Sequence, residues 1–289
     1  MRIVFSRKGF DSQYGRVASP ILPDGTMFSL PIPVPGDPHQ LGDLRPAGHD
    51  LASIVADLTR GNVVASMPIH LDPDLDASTI ARPPGWRPAF GQTAAAQTHL
   101  ENQGIGPGDL FLFFGWFREV EHSGGMWRYR RSAPDIHALF GWLQVEERVT
   151  VGHDASAAVQ RHPWLAGHPH IVGAASYSSS NNSIYVGRKT LHLAGRDLEL
   201  PGAGVLSRFR RDLQLTAPGR TRSWWRLPAW FHPRAGRPVL SYHTDPKRWS
   251  LEAEATTLRI VDKGQEFVLD TAQYPEAISW VTRLLQGPT

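Results

Sequence analysis

The sequence predicts an α+β fold: mixed and antiparallel sheets, a small barrel-like segment, and a few helices at the periphery. Three observations lead there. Two long runs, LFLFFGWF (110–117) and FGWLQVEERV (140–149), are rich in aromatic and aliphatic residues and read as strands. Helical spacing of apolar residues is confined to short segments. Twenty-seven glycines and 24 prolines break the rest into brief elements and loops. With no internal repeat and no long linker, residues 1–289 are expected to form one domain, with a barrel-like substructure over 105–200.

Taken in order, residues 3–5 form an opening strand. The loop to Asp43 follows, where Pro31, Pro33, Pro35 and Pro38 block regular ladders. Asp50 is a helix N-cap, Leu51, Ile54, Val55 and Leu58 follow at helical spacing, and Gly61 closes the end. Residues 63–69 read as a strand running into His70. A second helix covers 92–102 and stops at Gly104, its Ala94–Ala96 run favouring helix. The strands at 110–117 and 140–149 flank a polar hairpin through Gly124-Gly125 and resemble a pair from a PUA-like barrel. A short helix is expected at 155–160, a loop at 176–183, and short strands at 184–186 and 190–193. Residues 203–249 are loop-rich. A hairpin is expected from 256–261 and 266–269 around the Asp262-Lys263-Gly264 turn. A last helix covers 275–285, with Ile278, Val281 and Leu285 on one face.

Composition narrows the chemistry. The absence of cysteine removes disulfides, thiolate zinc sites, iron–sulfur clusters and a cysteine nucleophile. A metal would have to be held by His, Asp, Glu or carbonyl oxygen. No apolar run reaches the roughly 18 residues a bilayer span needs, and no signal-peptide pattern opens the chain, so no membrane partner and a cytoplasmic location are expected. The net charge of +3 is unevenly spread: residues 203–250 hold ten basic and two acidic side chains. Arginine dominates over lysine, which suits bidentate phosphate contacts and stacking, or simply a GC-rich genome.

Four groups of residues could carry chemistry. In HLDPDLD, an extended backbone would put His70, Asp72, Asp74 and Asp76 on one side, a cradle for Mg²⁺ or Mn²⁺, with His70, Asp72 and Asp74 the candidate ligands. Asp72 or Asp74 could instead be a general base with His70 as proton carrier, and a solvated Asp-Pro-Asp turn is the plainer alternative. In the opening loop, Arg7 and Lys8, with Arg16 nearby, are candidates to grip phosphate, and Asp11 to orient a hydroxyl or activate a nucleophile. The loop has neither a Walker A order nor a dinucleotide fingerprint. The third group is Arg222, Trp224, Trp225 and Arg226, an arginine–tryptophan zone suited to nucleic acid or to ordinary packing. Trp116 and Trp142 are candidates to stack a base. Last come the scattered histidines: His168-Pro169-His170 has a spacing that could meet a metal, but with no carboxylate beside it the set reads as core or surface histidines. Glu266, beside a turn, could reach a site, though an exposed hairpin carboxylate is the commoner case.

Several segments together resemble the nucleotide modification associated domain 3 family: SRKGFDSQYG (6–15), SPILPDGTMFSLPIP (19–33), HLDPDL (70–75), FGQTAAAQTHL (90–100), GDLFLFFGWFR (108–118) and GQEFVLD (264–270). The resemblance runs over nearly the whole chain. It implies a role in modifying nucleotides or nucleic-acid bases, in a phage or anti-phage setting, and carries no catalytic assignment. Two readings follow: an enzyme acting on a nucleotide or base by group transfer or hydrolysis, and a non-catalytic PUA-like reader of modified bases. The enzyme reading expects Arg7, Asp11, His70 and Asp72 to line one concave pocket.

Overall fold

The opening strand, Arg2–Arg7, organises the molecule. Ile3, Val4 and Phe5 are buried on both faces, as suits a strand inside a sheet. On one side it runs parallel to Leu110–Ser123, and on the other antiparallel to Glu266–Asp270. Leu110–Ser123 also pairs antiparallel with Ile136–Thr150, which pairs with Ser183–Gly187, which pairs with Ala89–Gln92 at the far edge. Ser19–Ile21, Met126–Tyr129 and Ala203–Val205 complete a nine-stranded mixed sheet. This computed structural model describes residues 1–234, 240–261 and 266–287.

The fold is α+β, with five α-helices among the described residues. The strand pair expected in a barrel is present and longer than expected, but it belongs to an open sheet, and no closed barrel forms among the described residues. Register shifts at Phe113/Phe114 and Val145/Glu147 bend the long strands without closing them. Gly124 and Gly125, both at positive φ, turn the hairpin between Leu110–Ser123 and Met126–Tyr129.

Two expected strands change. The segment expected as a strand over 63–69 shrinks to Pro68–Ile69, paired with His39–Gln40, because a turn at Val64–Met67 precedes it. The hairpin expected near residue 262 does not form. Ala255–Arg259 joins a three-stranded sheet with Trp224–Pro228 and Trp249–Leu251, while Glu266–Asp270 pairs with the opening strand. Its expected turn lies outside the described residues.

The helices match their sequence signals more closely. Helix Leu51–Leu58 is capped by Asp50, whose Oδ1 accepts the Ser53 N–H at 3.3 Å, a cap worth about 1 kcal/mol. Leu51, Ile54, Val55 and Leu58 face a satellite core beneath it. Helix Ala94–Asn102 starts two residues later than expected, because Gln92 ends a strand. The last helix, Glu276–Gln286, buries Ala277, Val281, Leu284 and Leu285 against the main core. That core centres on rings: Trp225 packs edge-on to Phe114 at 4.9 Å and lies beside Phe5 and Phe267. A third cluster, with Leu165, Ile171 and Ile184, seats the short helix Pro169–Val172 against the sheet edge.

Candidate active site

Where the opening strand ends, the chain turns out of the sheet into a loop fixed by its own backbone. Lys8 N–H donates to Phe114 O and Phe10 N–H to Leu30 O, both at 2.9 Å. Asp11 Oδ1 accepts the Gln13 and Tyr14 N–H groups at 2.7 Å each, an Asx turn that shapes the tip. Gly9 sits at φ +84°, and a Cβ there would lie 2.5 Å from Ser29 Oγ. The loop forms one wall of a cleft of about 320 Å³ lined by Arg7, Lys8, Asp11 and Tyr14. The opposite wall carries His70, Asp72, Gln92, His170 and Tyr177.

Asp72 is the centre of that wall. Its carboxylate is 3% exposed, and burial pushes its pKa up to about 6 against the pull of His70 and Lys8. Oδ1 accepts the Gly91 N–H at 2.7 Å and lies 3.6 Å from His168 Nε2. Oδ2 lies 4.0 Å from His70 Nε2 and 3.9 Å from His170 Nε2. The neighbouring hydrogen bonds assign the two imidazoles. His70 Nδ1 lies 2.6 Å from Asp37 Oδ2, an acceptor, so Nδ1 carries the proton. His170 Nδ1 donates to Asn182 Oδ1 at 2.7 Å; Asn182 is oriented by its own donations to Gly152 O and His170 O. Burial holds His170 neutral, with its pKa down at about 3, and drives that of His168 well below the ordinary histidine value. One ligand atom each from His70, Asp72 and His170 lies within 4.8 Å of the other two.

Lys8 closes the floor. Its Nζ pairs with Glu266 at 3.2 Å and sits 4.5 Å from the centre of the Phe90 ring. Gln92 Nε2 donates to the same Glu266 oxygen at 2.7 Å. A second cleft of about 530 Å³ adjoins the first and shares Arg7, Lys8, Asp11 and Gln13 with it. Its far wall is Trp116, Arg222 and His137. The Arg222 guanidinium lies 3.9 Å from the Trp116 ring centre, and Trp116 Nε1 donates to Asp135 at 2.8 Å. The two clefts therefore make a groove with carboxylate and imidazole at one end and arginine at the other.

The model of the family described as nucleotide modification associated domain 3 matches residues 2–270, nearly all of the chain. The chain belongs to this family. No curated protein and no solved structure matches it. The family name ties this nucleotide modification associated domain to nucleotide modification and leaves its chemistry open.

Within the domain, the residues singled out from sequence fall into three groups. Arg7, Lys8, Asp11, His70 and Asp72, from two distant stretches of chain, line one cleft. Trp116 and Arg222 line the adjoining one, where the guanidinium covers the ring face expected to stack a base. The others lie elsewhere. Asp74 is held away from Asp72: Arg82 clamps both its oxygens at 2.6 Å, and Trp86 Nε1 donates to it at 3.2 Å. Arg16 is exposed and lines a separate open hollow with Arg60 and Thr59. Trp142 is buried under Gly204, with Nε1 donating to Pro201 O at 3.0 Å. Trp225 is fully buried, with Nε1 on His137 Nδ1 at 3.1 Å. Arg220 lies over half-buried Trp224, and exposed Arg226 pairs loosely with Glu252. Glu266, expected on an exposed hairpin, is 1% exposed: its strand pairs with the opening strand, and Lys8 and Gln92 cover its carboxylate.

Sequence reasoning passed over Asp37, Asn182, Gly91 and Tyr177, and set His170 aside. The His-Pro-His spacing was a signal for His170, but its carboxylate comes from a distant segment. Gly91 lies in the FGQ stretch of the family resemblance, and a Cβ there would come within 2.2 Å of the His170 ring.

Proposed function

We propose that this chain is an enzyme that modifies a nucleotide, or a base within nucleic acid, by transferring a group to the base or by hydrolysing a modified nucleotide. The observation that carries the reading is the meeting of Lys8 and Asp11 with His70 and Asp72 across one cleft. The family's description supports a nucleotide as the substrate class. Arg7, Lys8 and Arg222 lie along the groove where phosphates would run, and arginine forks suit that task. Tyr14, 49% exposed at the cleft, offers a ring face for a base. Deep in the cleft, the His70–Asp37 pair and Asp72 supply groups that hold or accept a proton next to the reacting atom. A non-catalytic reader would need the aromatic strands to present a base pocket; Trp142 is buried and Trp116 is covered, which favours the enzyme.

The test is mass spectrometry of nucleosides recovered after nucleotide pools or oligonucleotides are incubated with the protein in cell extract, which provides donor groups. The wild type is expected to change the mass of one nucleoside, and Asp72→Asn to abolish that change while nucleotide affinity stays within about threefold. Retained binding with no mass change in the wild type would make the chain a reader.

A further inference from the structure

We propose that His70, Asp72 and His170 form a binding centre for one first-row transition-metal dication, such as Zn²⁺, Co²⁺, Fe²⁺ or Mn²⁺. It deepens the enzyme reading of the same cleft, but metal occupancy can be measured without substrate.

The first argument is the direction of lone pairs. In the neutral rings that a metal would need, with Nδ1 of His70 protonated toward Asp37 and Nδ1 of His170 protonated toward Asn182, both Nε2 atoms present lone pairs. Both face Asp72 Oδ2, at 4.0 and 3.9 Å, too far for hydrogen bonds. Three acceptors thus converge on one point with no donor between them. That arrangement is repulsive in a buried site and is relieved by a cation that all three can ligate.

The second argument is the surrounding support. A ligating imidazole usually anchors its other nitrogen on a carboxylate or carbonyl, which fixes the ring and its tautomer. Asp37 and Asn182 do this for the two histidines at 2.6 and 2.7 Å. Asp72 is steadied by the Gly91 N–H. His168 adds an independent sign. Its Nδ1 accepts the His170 N–H at 3.2 Å, so Nε2 carries the proton; that atom is buried without a hydrogen-bond partner, 3.6 Å from Asp72 Oδ1. A modest turn of the carboxylate onto a metal would let Oδ1 accept a hydrogen bond from that N–H. Gly91 leaves the space in which the His170 ring stands.

The third argument is ligand type. Two neutral imidazoles and one carboxylate suit zinc, iron, cobalt or manganese, whereas Mg²⁺ and Ca²⁺ favour all-oxygen shells. The Mg²⁺ expectation from HLDPDLD relied on Asp74, which Arg82 occupies. Three protein ligands leave further positions open toward the cleft, the pattern of a catalytic rather than a structural site.

The experiment uses tag-free full-length protein stripped with chelator, then titrated calorimetrically with Zn²⁺, Co²⁺ and Mg²⁺, with Co²⁺ also followed by its visible absorption. The expected result is one equivalent of Zn²⁺ or Co²⁺ per chain, bound at least 100-fold tighter than Mg²⁺. His70→Ala and His170→Ala should each weaken Co²⁺ binding more than 100-fold, and Asn182→Ala about 10- to 100-fold. Asp76→Asn, on the same loop but outside the cluster, should leave affinity unchanged. His70 is partly exposed, so His70→Ala, checked by circular dichroism, keeps the test decisive if His170→Ala fails to fold. Unchanged affinity in folded His70→Ala, Mg²⁺ bound as tightly as Zn²⁺, or no stoichiometric binding by the wild type would overturn the centre. Tight metal binding with no nucleoside change would instead refute the enzyme reading and leave the centre standing.

Discussion

Gly91 and Asp74 show how single positions hold the site open. Gly91 gives Asp72 a backbone donor and leaves room for the His170 ring, which a Cβ would meet at 2.2 to 2.7 Å. Gly91→Ala is therefore expected to displace that ring. It should cost about 1–3 kcal/mol of stability, as overpacking does, and reduce nucleoside modification more than tenfold, read by urea melts and by mass spectrometry. Asp74 pins the loop from the other side through Arg82 and Trp86. Asp74→Asn leaves a largely buried guanidinium with a neutral partner and should cost on the order of 3 kcal/mol in urea unfolding. At this scale the sequence exposed the residue types but not their partners. HLDPDLD pointed to His70 and Asp72, and strand alternation wrongly enrolled Asp74, because the chain there is not extended and an arginine eight residues on captures the carboxylate. The His168-Pro169-His170 spacing hinted at a ligand, but His170 was set aside and Asn182 missed because their partners come from folding, not from neighbouring sequence.

At the level of elements, the loop after the opening strand depends on where that strand lies. Arg2–Arg7 is parallel to Leu110–Ser123 and antiparallel to Glu266–Asp270, and Glu266 then receives Lys8 at the cleft floor. The last helix packs on the same core through Leu284, which is 3% exposed. Leu284→Ala should lower unfolding free energy by about 2–4 kcal/mol, and a change under 0.5 kcal/mol would show the helix to be a loose appendage. Helix caps and glycine turns were legible because they are local: Asp50, Gly61 and Gly124-Gly125 act within a few residues. The pairing of Glu266–Asp270 was not. A turn signal beside two apolar runs suggests a hairpin, but Glu266–Asp270 pairs with the opening strand, where residues 266–269 are buried.

Across the whole molecule, two buried histidines away from the cleft's inner wall join His168 and His170 in weakening the fold as pH falls, and Asp72, raised by burial, opposes them. Burial lowers His137 well below its ordinary value, with Arg7 and Arg222 adding to the effect. Burial also takes His243 down to about 4, assisted by Arg248 and Arg7 and opposed by its bond to Ser241 O. The unfolded chain then binds more protons than the folded one between about pH 6.5 and 4. Stability should be full above pH 6.5 and fall as pH drops through that window, by on the order of 3 kcal/mol for His243 alone, with the urea midpoint as readout. A midpoint flat over that range would contradict their burial as neutral groups. The strand content and the α+β class were readable from runs such as LFLFFGWF, yet those runs do not say whether a sheet closes, and here it stays open. The sequence of the arginine–tryptophan zone suits either nucleic acid or ordinary packing; the fold divides it, burying Trp225 and Trp249 and leaving Arg222 at the groove. No helix among the described residues is long and apolar enough to cross a membrane.

The central claim is that the groove from Tyr14 to Arg222 is where a nucleotide sits. Equilibrium titration of nucleoside phosphates and a short single-stranded oligonucleotide, against wild type, Tyr14→Ala, Arg222→Ala and Arg226→Ala, tests it most directly. Tyr14→Ala should weaken binding at least fivefold through lost stacking, Arg222→Ala should weaken it and flatten its salt dependence, and Arg226→Ala, outside both clefts, should change nothing. Binding that ignores Tyr14 and Arg222 but falls with Arg226 would place the nucleotide elsewhere and contradict the account.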